Sequence, residues 1–195
     1  MMIKPESGSA SSTRTSSRGF TLIELLLAVT LLSVVVAFTV PAMATMAERR
    51  ETIAAVERIY SELQLARSTA VAMSQPVFMN ISSGDNWALG VSNDANCDPI
   101  DNNPACSIPD VQNNNPVTRL YTVADNENVR VNAGGNQITF FSQRGTATPT
   151  DIVVTSLGDI GYVVNIQVLP LGQIIICSQA GDPRQRLTSY RACAA

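Results

Sequence analysis

Glu24 is the only charged residue in an apolar run of 28 residues, from Phe20 to Ala47. Inside a bilayer a lone carboxylate costs several kcal/mol. Pairing it with an amine recovers much of that cost, so an acid in this setting marks a functional site. The run is long enough to cross a bilayer core of about 30 Å as a helix. It begins at a small-residue junction, Gly19-Phe20, behind a polar Ser/Thr-rich leader that holds Lys4, Arg14 and Arg18 against Glu6. Basic residues ahead of an apolar run keep that end cytoplasmic and place the rest of the chain across the membrane. Ala42-Met43-Ala44 has the small-x-small form of a secretory cleavage site. An ordinary signal run, however, is roughly 7–15 residues and avoids acids.

The four cysteines, Cys97, Cys106, Cys177 and Cys193, suit an exported, oxidising compartment. Four cysteines allow three pairings; proximity favours Cys97–Cys106 and Cys177–Cys193. Zinc would need tight C-x-x-C pairs or histidines, and the sequence has neither, so no metal site is expected. Asp94, Asp98, Asp101 and Asp110 raise calcium, but their spacing lacks the loop pattern and its closing glutamate; turn chemistry explains them better. Without histidine there is no Ser-His or Cys-His arrangement, and no phosphate loop or dinucleotide fingerprint occurs, so the chain does not read as an enzyme and implies no cofactor. Arg184, Arg186 and Arg191 near the end offer phosphate contacts, the chemistry of weak, salt-sensitive binding to DNA. The formal net charge is −3, so general nucleic-acid affinity is not expected.

The elements that must carry these residues follow from periodicity. Residues 1–19 form the leader, 20–47 the membrane-spanning helix, 48–75 an amphipathic continuation and 76–195 a β domain. Ile53, Val56, Ile59, Tyr60, Leu63, Ala66, Ala70 and Met73 recur at helical steps, with Arg58, Glu62 and Arg67 among the outer positions. Pro41 should kink the helix, and Gln75-Pro76 should end it. Arg67, near that end, should meet the helix dipole and the last carbonyls. Eight strand-like runs follow: Val77–Ile81, Trp87–Val91, Arg119–Val123, Asn128–Asn132, Gln137–Phe141, Ile152–Thr155, Tyr162–Leu169 and Gln173–Ser178. Hairpin turns are expected at Gly134-Gly135-Asn136 and at Leu169-Pro170-Leu171-Gly172, and a long Asn/Asp/Pro loop over 93–116. Trp87, the single tryptophan, belongs in the core. The fold class is α+β, a long N-terminal helix that packs its apolar stripe on a sheet.

Gly19-Phe20-Thr21-Leu22-Ile23-Glu24, joined to its apolar tail, resembles the type IV prepilin signature. The resemblance implies cleavage after Gly19 by a prepilin peptidase and methylation of the new N-terminus, Phe20. It also implies that Glu24 pairs with a neighbouring subunit's terminal amine during assembly. Leu63-Gln64-Leu65-Ala66-Arg67-Ser68-Thr69-Ala70 with Val77-Phe78-Met79 is similar to the GspH/FimT branch of that superfamily, as are Ile138–Gly145 and Gly172–Cys177. The branch implies a type IV pilin fold, with the long N-terminal helix packed on small antiparallel sheets, and a minor pilin or type II secretion pseudopilin. Such a protein is anchored in the inner membrane with its C-terminal domain in the periplasm, and is partnered by other pilins in a pilus or pseudopilus. Some of its members bind DNA through a Gly-Arg-x-Arg tail during DNA uptake. Here Asp182-Pro183 separates Gly181 from Arg184-x-Arg186, so the pattern is interrupted.

Overall fold

In a computed structural model of the chain, residues 19–110, 115–122, 128–178 and 181–193 are described; at 38–42 the description stops at the backbone. The chain divides into two units, residues 1–41 and 42–195. One helix, α1, runs Leu22–Met73 through the boundary, so Pro41 does not terminate it.

In the first unit, Leu22, Ile23, Leu25, Leu26, Leu27, Val29, Leu31 and Leu32 are all exposed. Consecutive residues point in every direction around a helix, so this segment is apolar all round and has no polar face to give to water. Among the described residues no helix is long and apolar enough to cross a membrane. The described side chains stop at Ala37 and resume at Met43, and the residues between them, Phe38 to Ala42, carry no charge.

In the second unit, the helix becomes one-sided. Ala55, Val56, Ile59, Leu63, Ala66 and Ala70 are buried, at the three- and four-residue steps that put them on one stripe. They pack against strands of two four-stranded antiparallel sheets. The first holds β1 (Val77–Ser82), β2 (Ala88–Ser92), β5 (Leu120–Thr122) and β7 (Gln137–Phe140), in the order β5-β2-β1-β7. The second holds β6 (Val129–Ala133), β8 (Thr150–Ser156), β9 (Val163–Val168) and β10 (Ile174–Ser178), in the order β10-β9-β8-β6. In β8 and β9 burial alternates, with Ile152, Val154, Val164 and Ile166 facing the core. Each such aliphatic side chain contributes about 1.5–3 kcal/mol by leaving water. Trp87 is fully buried, and its indole nitrogen donates to the Val129 carbonyl at 2.8 Å.

The fold class agrees with the sequence, and four details correct it. Gly134-Gly135-Asn136 is not a hairpin turn: β6 before it pairs with β8, while β7 after it pairs with β1. Gly134 donates to Asp151 and Asn136 accepts from Ile81, so the glycines hand the chain from one sheet to the other. Within the long loop, Ser107–Pro109 (β3) and Pro116–Thr118 (β4) pair as a further small sheet. These strands are three residues each, too short to show a period. Glu62, expected on the outer face, is buried: Arg58 pairs with it at 3.2 Å and lies 4.7 Å over the Tyr121 ring, covering it. The helix ends at Met73, and Ser74 takes a left-handed φ of 54°. A left-handed residue just past the last turn is a common helix stop. Of the strand expected at 119–123, residue 123 lies outside the described residues.

Candidate functional site

Just before α1, Gly19 and Phe20 are exposed and lie outside the helix. The Thr21 hydroxyl accepts from the Glu24 backbone N–H at 3.3 Å, which places Glu24 in the first helical turn. Thr-x-x-Glu is the spacing of a capping box, and an acid there also meets the positive end of the helix dipole. Glu24 thus sits exposed in the first turn of its own helix, a local placement missed in the sequence although the spacing displays it.

Further along the helix, Glu48 is buried although it opens the polar half of the sequence. Its carboxylate accepts from Ser156 Oγ at 2.5 Å, from Gly161 N at 2.9 Å and from Ile160 N at 3.3 Å. These donors lie at the end of β8 and in the loop before β9. Gly158 in that loop leaves room for the carboxylate, since a Cβ there would fall within contact distance of it. Three donors on one carboxylate make a charge-assisted clasp between helix and loop. No local pattern reveals it, because the partners lie more than 100 residues away.

Arg67 forms the second clasp and corrects an expectation. Instead of serving its own helix's last carbonyls, its Nε donates to the Gly145 carbonyl at 3.2 Å and its Nη2 to the Leu171 carbonyl at 3.5 Å. Gly145 and Gly172 both hold positive φ, 62° and 72°. A Cβ on Gly172 would run into the backbone of Gly145. Two glycine turns thus approach each other closely enough for one guanidinium to bridge them.

The four cysteines pair as Cys97–Cys106 and Cys177–Cys193, with Cα separations of 5.0 and 4.8 Å. Cys106 packs over β2, where a Cβ on Gly90 would come within 2.7 Å of the Cys106 Cβ. The aspartates of this loop are engaged in turns. Asp94 accepts from Asn96 N, and Asp98 from the N–H groups of Ile100 and Asp101. Among the described residues no cluster of three metal-ligating side chains occurs.

The C-terminal segment is docked on the domain. Leu187 is buried, and its N–H donates to Ser178 Oγ at 2.9 Å. The Gln185 carbonyl accepts from Val163, and Ala192 forms a parallel bridge to Ser178. Tyr190 donates to Glu57 at 2.9 Å; burial, and then that hydrogen bond, push its phenol well above the ordinary value. Arg184, Arg186 and Arg191 remain exposed on this docked segment. Arg130 and Asp85 form an exposed ion pair that lowers the Asp85 carboxyl, first through the hydrogen bond itself.

The profile of the family described as Type II transport protein GspH matches residues 55–172, more than half of the chain. The chain belongs to the GspH family. The matched stretch opens at Ala55, at the head of the buried helical stripe, and closes at Gly172, in the turn that Arg67 holds. A second profile, the prokaryotic N-terminal methylation motif, matches residues 14–40 and brackets Gly19, Phe20 and Glu24. No curated protein matches the chain. Among solved structures it is similar to the type IV minor pilin FimU of Pseudomonas aeruginosa, at 17% identity and a TM-score of 0.47, covering 74% of this chain and 98% of that one. It is also similar to the minor pseudopilin EpsH from the Type 2 Secretion System of Vibrio cholerae, at 14% identity and a TM-score of 0.47, covering 66% and 97%. The tail that carries Cys177–Cys193 and the three arginines lies beyond the GspH match.

Proposed function

We propose that this GspH-family chain is a minor pilin or pseudopilin, a structural subunit that primes or caps a type IV pilus or a type II secretion pseudopilus. One observation carries the reading. A methylation motif leads into a helix that is apolar on every side, with Glu24 in its first turn, ahead of a domain of the GspH family. In this reading, residues 1–19 are a leader removed by a prepilin peptidase, and 20–47 anchor the chain once through the inner membrane. Residues 48–75 dock the helix on the periplasmic domain, 76–195. Methylated Phe20 keeps a cationic amine, and Glu24 of a neighbouring subunit is its partner. In lipid either charge alone costs several kcal/mol, so the pair selects one stagger between subunits. Other pilins in the filament are therefore the principal partners.

N-terminal sequencing of membrane-extracted protein tests the processing: the mature chain begins at Phe20. A start at Thr45, behind Ala42-Met43-Ala44, would sink the reading. Assembly is tested separately by Glu24→Ala, which inserts and folds as before but is depleted from sheared filaments. Entry of the variant at the wild-type level removes Glu24 from assembly.

A further inference from the structure

We propose that the cleft between the end of β1 and the disulfide loop binds a neutral saccharide, a ligand rich in hydroxyl groups and without charge. The site lies wholly in the second unit, so it stands apart from how the chain is anchored or assembled.

The cleft is built before any ligand arrives. It holds about 600 Å³, within the usual range for small-molecule sites. Its walls are residues 80–83 at the end of β1, residues 95–100 of the loop, and Asn136. The loop wall is held in place. Asn80 is buried, and its Nδ2 donates to the Ala95 carbonyl at 3.3 Å and to the Cys97 carbonyl at 2.8 Å. Gln137 Nε2 donates to Asn80 Oδ1 at 2.7 Å, which fixes the amide from its other side. Cys97 is tied in turn to Cys106. Across the cleft, the Ile81 N–H donates to the Asn136 carbonyl at 2.8 Å. Walls ordered by the fold spare a ligand the cost of ordering them.

The lining decides the ligand. Ser82, Asn96 and Asn136 bring a hydroxyl and two amides whose side chains have no partner among the described residues. Hydroxyls and amides both donate and accept, and a ligand hydroxyl does the same. Asp98 accepts from the N–H groups of Ile100 and Asp101 through one carboxylate oxygen, which leaves the other for a hydroxyl hydrogen. Ile81 and Pro99, both buried, and the exposed Ile100 add aliphatic surface for the C–H face of a sugar ring. No lysine or arginine lines the cleft, and Arg130, on the strand bridged to Gly84, is paired with Asp85. A phosphate or carboxylate would meet Asp98 with no counter-charge beside it. No aromatic ring lines the cleft either, so a nucleobase lacks a surface to stack on. For a metal ion one carboxylate is too few, and no cluster of three ligating side chains occurs among the described residues.

The test uses the full chain in detergent micelles with isotopically labelled isoleucine methyl groups, titrated with maltotriose and with chitotriose. Ile81 and Ile100 line the cleft, so their methyl signals report its occupancy, and Ile166 and Ile176 in the other sheet serve as controls. A few neutral hydrogen bonds in an open cleft support a Kd on the order of 1 mM. At least one trisaccharide is expected to shift the cleft methyls saturably and to leave the controls in place. Asn96→Ala with Asn136→Ala removes two amides on which the fold makes no call, and weakens binding at least about tenfold while the melting temperature stays put. Silence of both sugars at about fifty times the expected Kd overturns the proposal, and so does binding that survives the double variant. Inorganic phosphate that saturates the same methyls as tightly overturns the neutral class. Tetraglycine that binds more tightly than either sugar overturns it in favour of a peptide.

Discussion

Glu48 and Arg67 lie about five turns apart on one helix and hold the two ends of its packed half to the sheets in opposite ways. Glu48 is an anion buried among N–H and O–H donors; Arg67 is a half-buried cation shared between carbonyls. At the Glu48 end the side chain carries the contact, and the loop is shaped around it. At the Arg67 end the backbone carries it: the turns at Gly145 and Gly172 meet directly, and the guanidinium spans a junction that already exists. Similar-looking clasps should therefore fail differently, one when the side chain is cut and the other when the glycine is filled.

The largest effect is expected from Gly172→Ala. The new Cβ meets backbone, which cannot step aside, at a φ of 72° that disfavours alanine. Strain and overpacking together cost about 3–4 kcal/mol. A melting curve within error of wild type would show that the turns are not in contact. Glu48→Ala comes next. It strands buried donors and costs about 3 kcal/mol, or about 6–12 °C in a domain of this size. Glu48→Gln keeps one acceptor oxygen and should recover about half of that. Gly158→Ala attacks the same clasp from the loop side, where the obstructing atoms are a movable carboxylate. A loss of about 1–3 kcal/mol is expected, and most of it should vanish in the Glu48→Ala background if the two share one contact. Arg67→Ala should cost only about 1 kcal/mol, since water reaches the freed carbonyls. A loss as large as that of Glu48→Ala would erase the distinction between the ends. Smallest of all is the exposed Asp85–Arg130 pair. Its Asp85 carboxyl is lowered below 3.8, so its contribution is present above that value and disappears as pH falls through the lower folded one. The melting difference between wild type and Asp85→Asn should shrink with acidification, and growth instead would reverse the assignment.

What the sequence discloses divides along the same line. The helical stripe from Val56 to Ala70 is legible because its period is local, and the strands of the second sheet because Ile152, Val154, Val164 and Ile166 alternate. Arg67 is legible as a residue near a helix end, but its partners are 78 and 104 residues away, so their identity is not. Glu48 is not legible at all. In a string it is merely the first acid after an apolar run, and its burial depends on a loop whose N–H groups any residue could supply. The glycines at 134–135 mislead for a related reason: they permit a sharp change of direction without specifying whether the next strand joins the same sheet. Thr21-x-x-Glu24 is the opposite case, a local pattern in plain view beneath a more conspicuous one.

The two carbonyls that Arg67 holds belong to different sheets. Gly145 follows β7 of the first, and Leu171 sits in the turn between β9 and β10 of the second. Glu48, by contrast, engages only the second sheet, through Ser156 at the end of β8 and the loop leading to β9. The Glu48 end therefore ties the helix to one sheet, while the Arg67 end ties it to both. Undoing the first contact would free the helix from one layer of the domain, whereas opening the second would also let the two layers part from each other.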